Sequence, residues 1–283
     1  GWTREQAREV RRDWLAQPDA DEACLAAAER LIAADLMSPN DAWKKARLAM
    51  EANRARVARD AVNLVAPDDL PLFDQLNASA PKFLAGRTGV AAKSKKEMVV
   101  LALIKIAMAD PDMAAVQLDG KWGPMLTSEE RNWVWGVIGR QSAMKLSPMA
   151  SGYFANATRL KDLNDDMLAW KVRAALRMGQ WKEVPPAIDA MSEDAQEDPT
   201  WVYWKARALA QRGGDERRAE ARALYESIAG TRGFYELLAL EELGQQAIAP
   251  TRPAPLTAEE KAAARNNVAL QRALLAISIG LRS

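Results

Sequence analysis

A five-residue string recurs in this chain. Trp170-Lys171-Val172-Arg173-Ala174 returns as Trp204-Lys205-Ala206-Arg207-Ala208, 34 residues later. That spacing is the length of a tetratricopeptide helix–turn–helix unit. Each copy runs into glycine (Gly179; Gly213-Gly214) and then a second helical stretch, Trp181 to Met191 and Glu216 to Ala229. A third, looser copy, Trp43-Lys44-Lys45-Ala46-Arg47-Leu48-Ala49-Met50, ends at Asn53 and leads into Ala55 to Leu64. One such unit cannot bury its apolar face alone; stacked end to end, units share a continuous core and wind into a superhelix. The expected fold is therefore all-α: degenerate tetratricopeptide-like repeats stacked into a curved superhelix.

Punctuation along the chain agrees. Ser38-Pro39, Asp110-Pro111, Ser147-Pro148 and Asp198-Pro199 each set a capping side chain before a proline at the first helical position. Thr127 with Glu130, and Thr257 with Glu260, have capping-box spacing. Gly179, Gly213, Gly214 and Gly244 end apolar-periodic runs, where helices stop. These marks delimit about fourteen helices joined by short turns. No alternating strand pattern is visible, and the one Asp-Gly pair, Asp119-Gly120, has a helical pattern on each side. Gly244, Pro250, Pro253 and Pro255 break the rhythm, so a connector and a boundary are expected near residue 250. A new helix is expected from Thr257 to about Leu281. The expected division is a superhelical region at 1–249 and a connector with one further helix at 250–283.

Several chemistries are excluded. The chain has no histidine, which removes the usual general base and imidazole metal ligand. One cysteine, Cys24, forbids an internal disulfide. A net charge of +1 gives no broad basic field for nucleic acid. The longest apolar run, Met98 to Ala109, is interrupted by Lys105 and is too short to span a bilayer. No signal peptide opens the chain. No cofactor motif is present.

Candidate sites each have a structural alternative. Lys82 to Lys96 is basic and contains glycine, so it is either an anion-holding loop or a solvated connection; it lacks the spacing of a nucleotide loop. Arg173 and Arg207 either line a groove for an anionic ligand or tie neighbouring helices together through carboxylates and rings. The tryptophans and the methionines of Met98 to Met113 read as core. Asp68-Asp69, Asp165-Asp166 and Glu241-Glu242 are adjacent acids that do not face each other, so none is an acid–base pair.

The stretch Trp201-Val202-Tyr203-Trp204-Lys205-Ala206-Arg207-Ala208-Leu209, then Gly233-Phe234-Tyr235 and Leu243-Gly244, resembles the end of the superhelical U-domain of soluble lytic murein transglycosylases. Leu36-Met37-Ser38-Pro39 through Met50, and Trp170 through Met191, are similar to the same family, and the resemblance spans residues 20 to 250. It implies a periplasmic scaffold acting on peptidoglycan, whose parent enzyme cleaves the MurNAc–GlcNAc bond without water to leave a 1,6-anhydro sugar. The family's catalytic glutamate stands in a Glu-Ser motif followed by Gly-Leu-Met-Gln. Here Glu226-Ser227 lies within a repeat helix and no Gly-Leu-Met-Gln follows, so the catalytic role is not carried over. The resemblance implies a non-catalytic portion, incomplete at its N-terminus, since the family's cysteine partner for the Cys24 region is absent. The helix after Thr257 is similar to the opening of the family's linker domain. Implied partners are glycan strands and other cell-wall proteins, with Arg173, Lys205 and Arg207 as glycan-contacting candidates and no catalytic, cofactor or metal residue. The alternative is a free-standing helical-repeat adaptor for protein partners.

Overall fold

A computed structural model describes residues 2–19, 21–87, 90–246 and 254–278. All regular structure among the described residues is helical, in eighteen α-helices and five short 3-10 or π turns. The first four helices are α1 (Arg4–Ala16), α2 (Glu22–Ala33), α3 (Pro39–Glu51) and α4 (Ala55–Val65). Ser38 caps α3 by accepting the Asn40 N–H at 3.2 Å, with Pro39 in the first turn. Asn53 takes a positive φ of 57° and turns the chain into α4. The third repeat copy is therefore the helical hairpin α3/α4. Lys45, buried in α3, donates to the carbonyls of Trp14 and Gln17 and so satisfies the end of α1.

The centre of the molecule is built from α5 (Leu70–Ala78), α6 (Ala80–Ala85), α7 (Lys93–Ala109), α8 (Pro111–Gln117) and α9 (Ser128–Met144). Helix α7 is buried on nearly every face from Glu97 to Ala107, and α9 from Glu130 to Ala143. Helices apolar all round belong in an interior. Lys105 does not spoil α7, because its ammonium donates to the Asn77 carbonyl and to Asn77 Oδ1 at 2.7 Å. Helix α9 packs on α7, α8, α10 (Ala150–Ala155) and α11 (Asp165–Arg177). Gly139 permits one of those approaches: a Cβ there would lie 2.7 Å from the Phe154 ring.

The two closely matching repeats are α11 with α12 (Val184–Asp189), and, after the short α13 (Glu193–Glu197), α14 (Pro199–Arg212) with α15 (Asp215–Ile228). Gly179, Gly213 and Gly214 all have positive φ at the turns. Helix α16 (Phe234–Glu242) closes on α14 and α15. One apolar cluster runs from Ala7 to Ala208. A second gathers Tyr203, Ala206, Leu209, Ala221, Tyr225 and Ala239 beneath α16. The stacked hairpins form the expected superhelical class of fold.

Local expectations need correction in four places. The helices are more numerous than about fourteen because several segments break into short pieces at proline. Ser147 does not cap a helix at Pro148; its hydroxyl accepts the Met149 N–H at 3.2 Å in a turn, and α10 starts at Ala150. The stretch from Trp181 is a 3-10 turn, Trp181–Glu183, before α12, since Pro185 and Pro186 fit only a first helical turn. The helix after Thr257 is two, α17 (Ala258–Asn266) and α18 (Val268–Ser278). Asn267 separates them, its side chain accepting the N–H groups of Ala269 and Leu270 at 3.0 and 3.1 Å. Residues 247–253 of the expected connector, with Pro250 and Pro253, and Leu281 lie outside the described residues, while Gly244 at its start has a positive φ of 71°.

Candidate functional site

The three basic candidates sit on adjacent hairpins but face different partners. The Arg173 guanidinium lies over Trp170 of its own helix, 4.8 Å from the ring centroid, and over Trp201 of α14 at 5.4 Å. It is exposed, and both rings are half-buried. Lys205 donates to Asp189 of α12 at 2.7 Å. Arg207 donates to Glu242 of α16 and to the Tyr203 hydroxyl at 3.1 Å. Burial raises the pKa of the Tyr203 phenol in this contact. Lys205 and Arg207 thus carry inter-helix ties, whereas Arg173 presents a cation between two indoles. The three do not converge on one cleft.

Residues 88 and 89 of the basic segment lie outside the described residues, and most of its other cations are tied into the fold. Lys82 belongs to α6, and Lys93, Lys95 and Lys96 open α7. Lys93 donates to Glu97 at 2.8 Å and to Glu130 at 2.9 Å. Lys95 donates to Asp69, and Arg87 lies 4.2 Å from the Phe83 ring centroid. Glu226 is exposed on α15 and accepts from Arg222 at 2.9 Å, a solvent-facing pair within one helix. The Ser227 hydroxyl donates to the Leu224 carbonyl at 2.7 Å.

The largest charged assembly was not foreseen. Arg47, with a side chain only 2% exposed, donates to Glu97 at 2.6 and 3.0 Å and to Glu129 at 2.6 and 3.1 Å. Its guanidinium also lies 5.3 Å from the Trp133 ring centroid. Burial opposes the Arg47 charge, but Glu97 and Glu129 outweigh it and hold the pKa above its ordinary value. Glu130, in the capping box with Thr127, is likewise kept below the ordinary carboxylate range: burial opposes this, and the Thr127 N–H and Lys93 prevail. Further along, Trp133 Nε1 donates to Glu51 at 3.2 Å, and Glu51 Oε1 lies 2.8 Å from Arg140. Burial raises the Glu51 pKa. Only the Thr127–Glu130 capping box and the Lys93–Glu97 spacing of four residues were readable in the sequence; the rest joins α3, α7 and α9 across 37 residues or more.

This brace floors a cavity of about 290 Å³ walled by Asn40, Lys44 and Thr127. A second cavity of about 300 Å³, with Arg11, Trp133 and Asn164 in its wall, shares Lys44 and Glu129 with the first. The first is lined by an amide, a hydroxyl and charges, whereas the second mixes charged groups with Leu15, Leu48, Trp133 and Leu163. The charged groups of the first cavity are largely paired with one another. Glu97 and Glu129 are both held by Arg47, an arrangement for bracing rather than for proton transfer. Among the described residues no group of three or more metal-ligating side chains is assembled.

No family model matches the chain. Among curated proteins it is 23% identical over 248 residues to the soluble lytic murein transglycosylase of Salmonella typhimurium, covering 82% of this chain and 36% of that protein. The Escherichia coli K12 protein of the same name matches at 23% over the same shares. The chain thus spans about a third of the length of the curated relatives it matches. Among solved structures, an inactive mutant of the lytic transglycosylase Slt from Pseudomonas aeruginosa superposes with a TM-score of 0.58 at 24% identity, covering 98% of this chain and 45% of that one. The 70-kDa soluble lytic transglycosylase of Escherichia coli gives 0.52 at 20% identity, covering 89% of this chain and 41% of that one. The chain is thus similar in sequence to these transglycosylases over most of its own length and shares the helical fold of the two structures.

Proposed function

We propose that this homologue of the soluble lytic murein transglycosylases is the superhelical, non-catalytic portion of such an enzyme, a scaffold that holds or guides peptidoglycan glycan strands in the periplasm. The observation that carries the reading is the match of 248 residues of a repeat fold to one part of a named wall-degrading protein. Residues 1–249 form the superhelical portion, and 250–283 the connector and the opening of a linker domain. The cleavage itself, giving a 1,6-anhydro sugar, belongs to the parent enzyme's catalytic domain. Among the described residues no helix is long and apolar enough to cross a membrane, which accords with homologues named as soluble.

Of the three basic candidates, Arg173 best supports glycan contact. It lies between Trp170 and Trp201, and indole faces are surfaces on which pyranose rings stack. Lys205 and Arg207 already have carboxylate partners and contribute mainly by holding α12 and α16 in place.

The test is co-sedimentation with purified peptidoglycan sacculi, with mass spectrometry of released material. Binding without anhydro-muropeptides supports the scaffold, and Arg173→Ala is expected to weaken it. Release of anhydro-muropeptides would overturn the non-catalytic assignment. Absence of binding would overturn the glycan role and leave the protein-partner adaptor.

A further inference from the structure

The residue after the repeat tryptophan is lysine in all three copies: Lys44, Lys171 and Lys205. Lys205 is matched by Asp189 at 2.7 Å. Lys171 is more deeply buried, at 7% exposure, yet its nearest carboxylate oxygen, on Glu183, is 3.9 Å away. That distance is beyond a hydrogen bond. Its ammonium also lies 6.0 Å from the Phe154 ring centroid. The side chain is nine-tenths buried, yet its ammonium has no protein acceptor within hydrogen-bond distance among the described residues and is open to the cavity beside it.

Lys171 lines a cavity of about 330 Å³ between α10, α11 and the turn before α12. Ser151, Gln180, Lys182 and Glu183 share its wall, and the rest of the lining is glycine and alanine. The volume is at the lower end of the range for small-molecule sites, about 300–1,000 Å³. Two lysines and one glutamate leave the site one positive charge in excess, which matches a monoanion. A phosphate carries roughly −1.5 to −2 at neutral pH and would be under-compensated. Phosphate sites also favour helix N-termini with free N–H groups. The adjoining first turn of α12 holds Pro185 and Pro186, which have none.

We propose that this cavity is a carboxylate-binding site. Lys171 Nζ is the anchoring cation and Lys182 the cation at the exposed mouth. Gln180 and Ser151 recognise an amide or hydroxyl next to the carboxylate. The ligand is a small carboxylate, supplied either by a peptide C-terminus or by the acid group of an N-acylated sugar. The proposal stands on the cavity and is independent of the glycan scaffold reading.

Burial lowers the Lys171 pKa from its ordinary 10.5, and a bound carboxylate would raise it again. The whole chain, isotope-labelled at lysine, allows the Lys171 side-chain resonances to be followed by NMR. N-acetyl-alanyl-alanine and N-acetylmuramic acid are the two carboxylate probes. The dipeptide amide, N-acetylglucosamine and inorganic phosphate are the controls. The expected result is a saturable shift with a carboxylate probe, a raised Lys171 pKa when bound, and no saturation with the neutral probes. Tighter binding of the dipeptide assigns a peptide source; tighter binding of the acid sugar assigns a saccharide source. Lys171→Met should weaken binding at least tenfold while leaving the melting temperature equal or higher. Glu183→Gln, at the rim, removes the competing carboxylate and should tighten binding. Any of three results would overturn the proposal: no saturable shift with either carboxylate, phosphate binding more tightly than both, or unchanged affinity in Glu183→Gln.

Discussion

Replacing Arg47 by Met tests whether the buried brace holds the central helices together. The arginine makes two bidentate contacts, one with fully buried Glu97 and one with Glu129, which is 39% exposed. Removing one partner of a buried pair costs about 3–5 kcal/mol, because the other charge is left without compensation. Two features set this case at the lower end. Glu97 keeps Lys93 at 2.8 Å, and Glu129 can turn to water. The expected loss is therefore about 3 kcal/mol. For a domain of this size that is a fall in melting temperature of roughly 6–12 °C. The double variant Arg47→Met/Glu97→Met leaves neither charge buried, and Lys93 still has Glu130 at 2.9 Å. It should recover at least half of the single variant's loss, since apolar replacement of a whole buried pair is close to neutral. Urea and thermal unfolding followed by tryptophan fluorescence measure both, with Trp133 beside the brace as a reporter. A single-variant loss under about 1 kcal/mol, or a double variant no better than the sum of the singles, would refute the reasoning.

Three further outcomes are expected. Gly139→Ala places a methyl 2.7 Å from the Phe154 ring and should destabilise by about 1–3 kcal/mol through overpacking, read as a lower urea midpoint with unchanged slope. Asp198→Ala removes the acceptor for the Thr200 N–H at 2.8 Å and should cost about 1 kcal/mol in thermal unfolding. Glu130 titrates below its ordinary 4.5 when folded, so its contribution is present above that pH and fades as pH falls through the lowered value. The midpoint of unfolding should drop more steeply below pH 4.5 in the parent than in Glu130→Gln, and equal slopes would contradict this.

The sequence alone determined the fold class and much of its punctuation. The 34-residue repeat located the hairpins α11/α12 and α14/α15, and the looser copy located α3/α4. The capping boxes at Thr127 and Thr257 and the turns at Asn53, Gly179 and Gly213 stand where they were expected. These signals are local: a cap, a proline or a left-handed turn acts within about four residues of itself. Where even local reading slipped, at Ser147 and Asn267, a polar side chain had two turn geometries open to it. The tertiary structure alone decided which charges meet. Arg47 finds Glu129 across 82 residues and Arg207 finds Glu242 across 35, so that the arginine of the looser copy braces the core while Arg207 ties down α16. Of the lysines that follow the repeat tryptophans, Lys205 is paired by Asp189, whereas Lys171 is buried 3.9 Å from its nearest carboxylate. Closely similar strings thus acquire different roles because burial and partner distance depend on how neighbouring helices stack, which no periodicity within a single helix encodes.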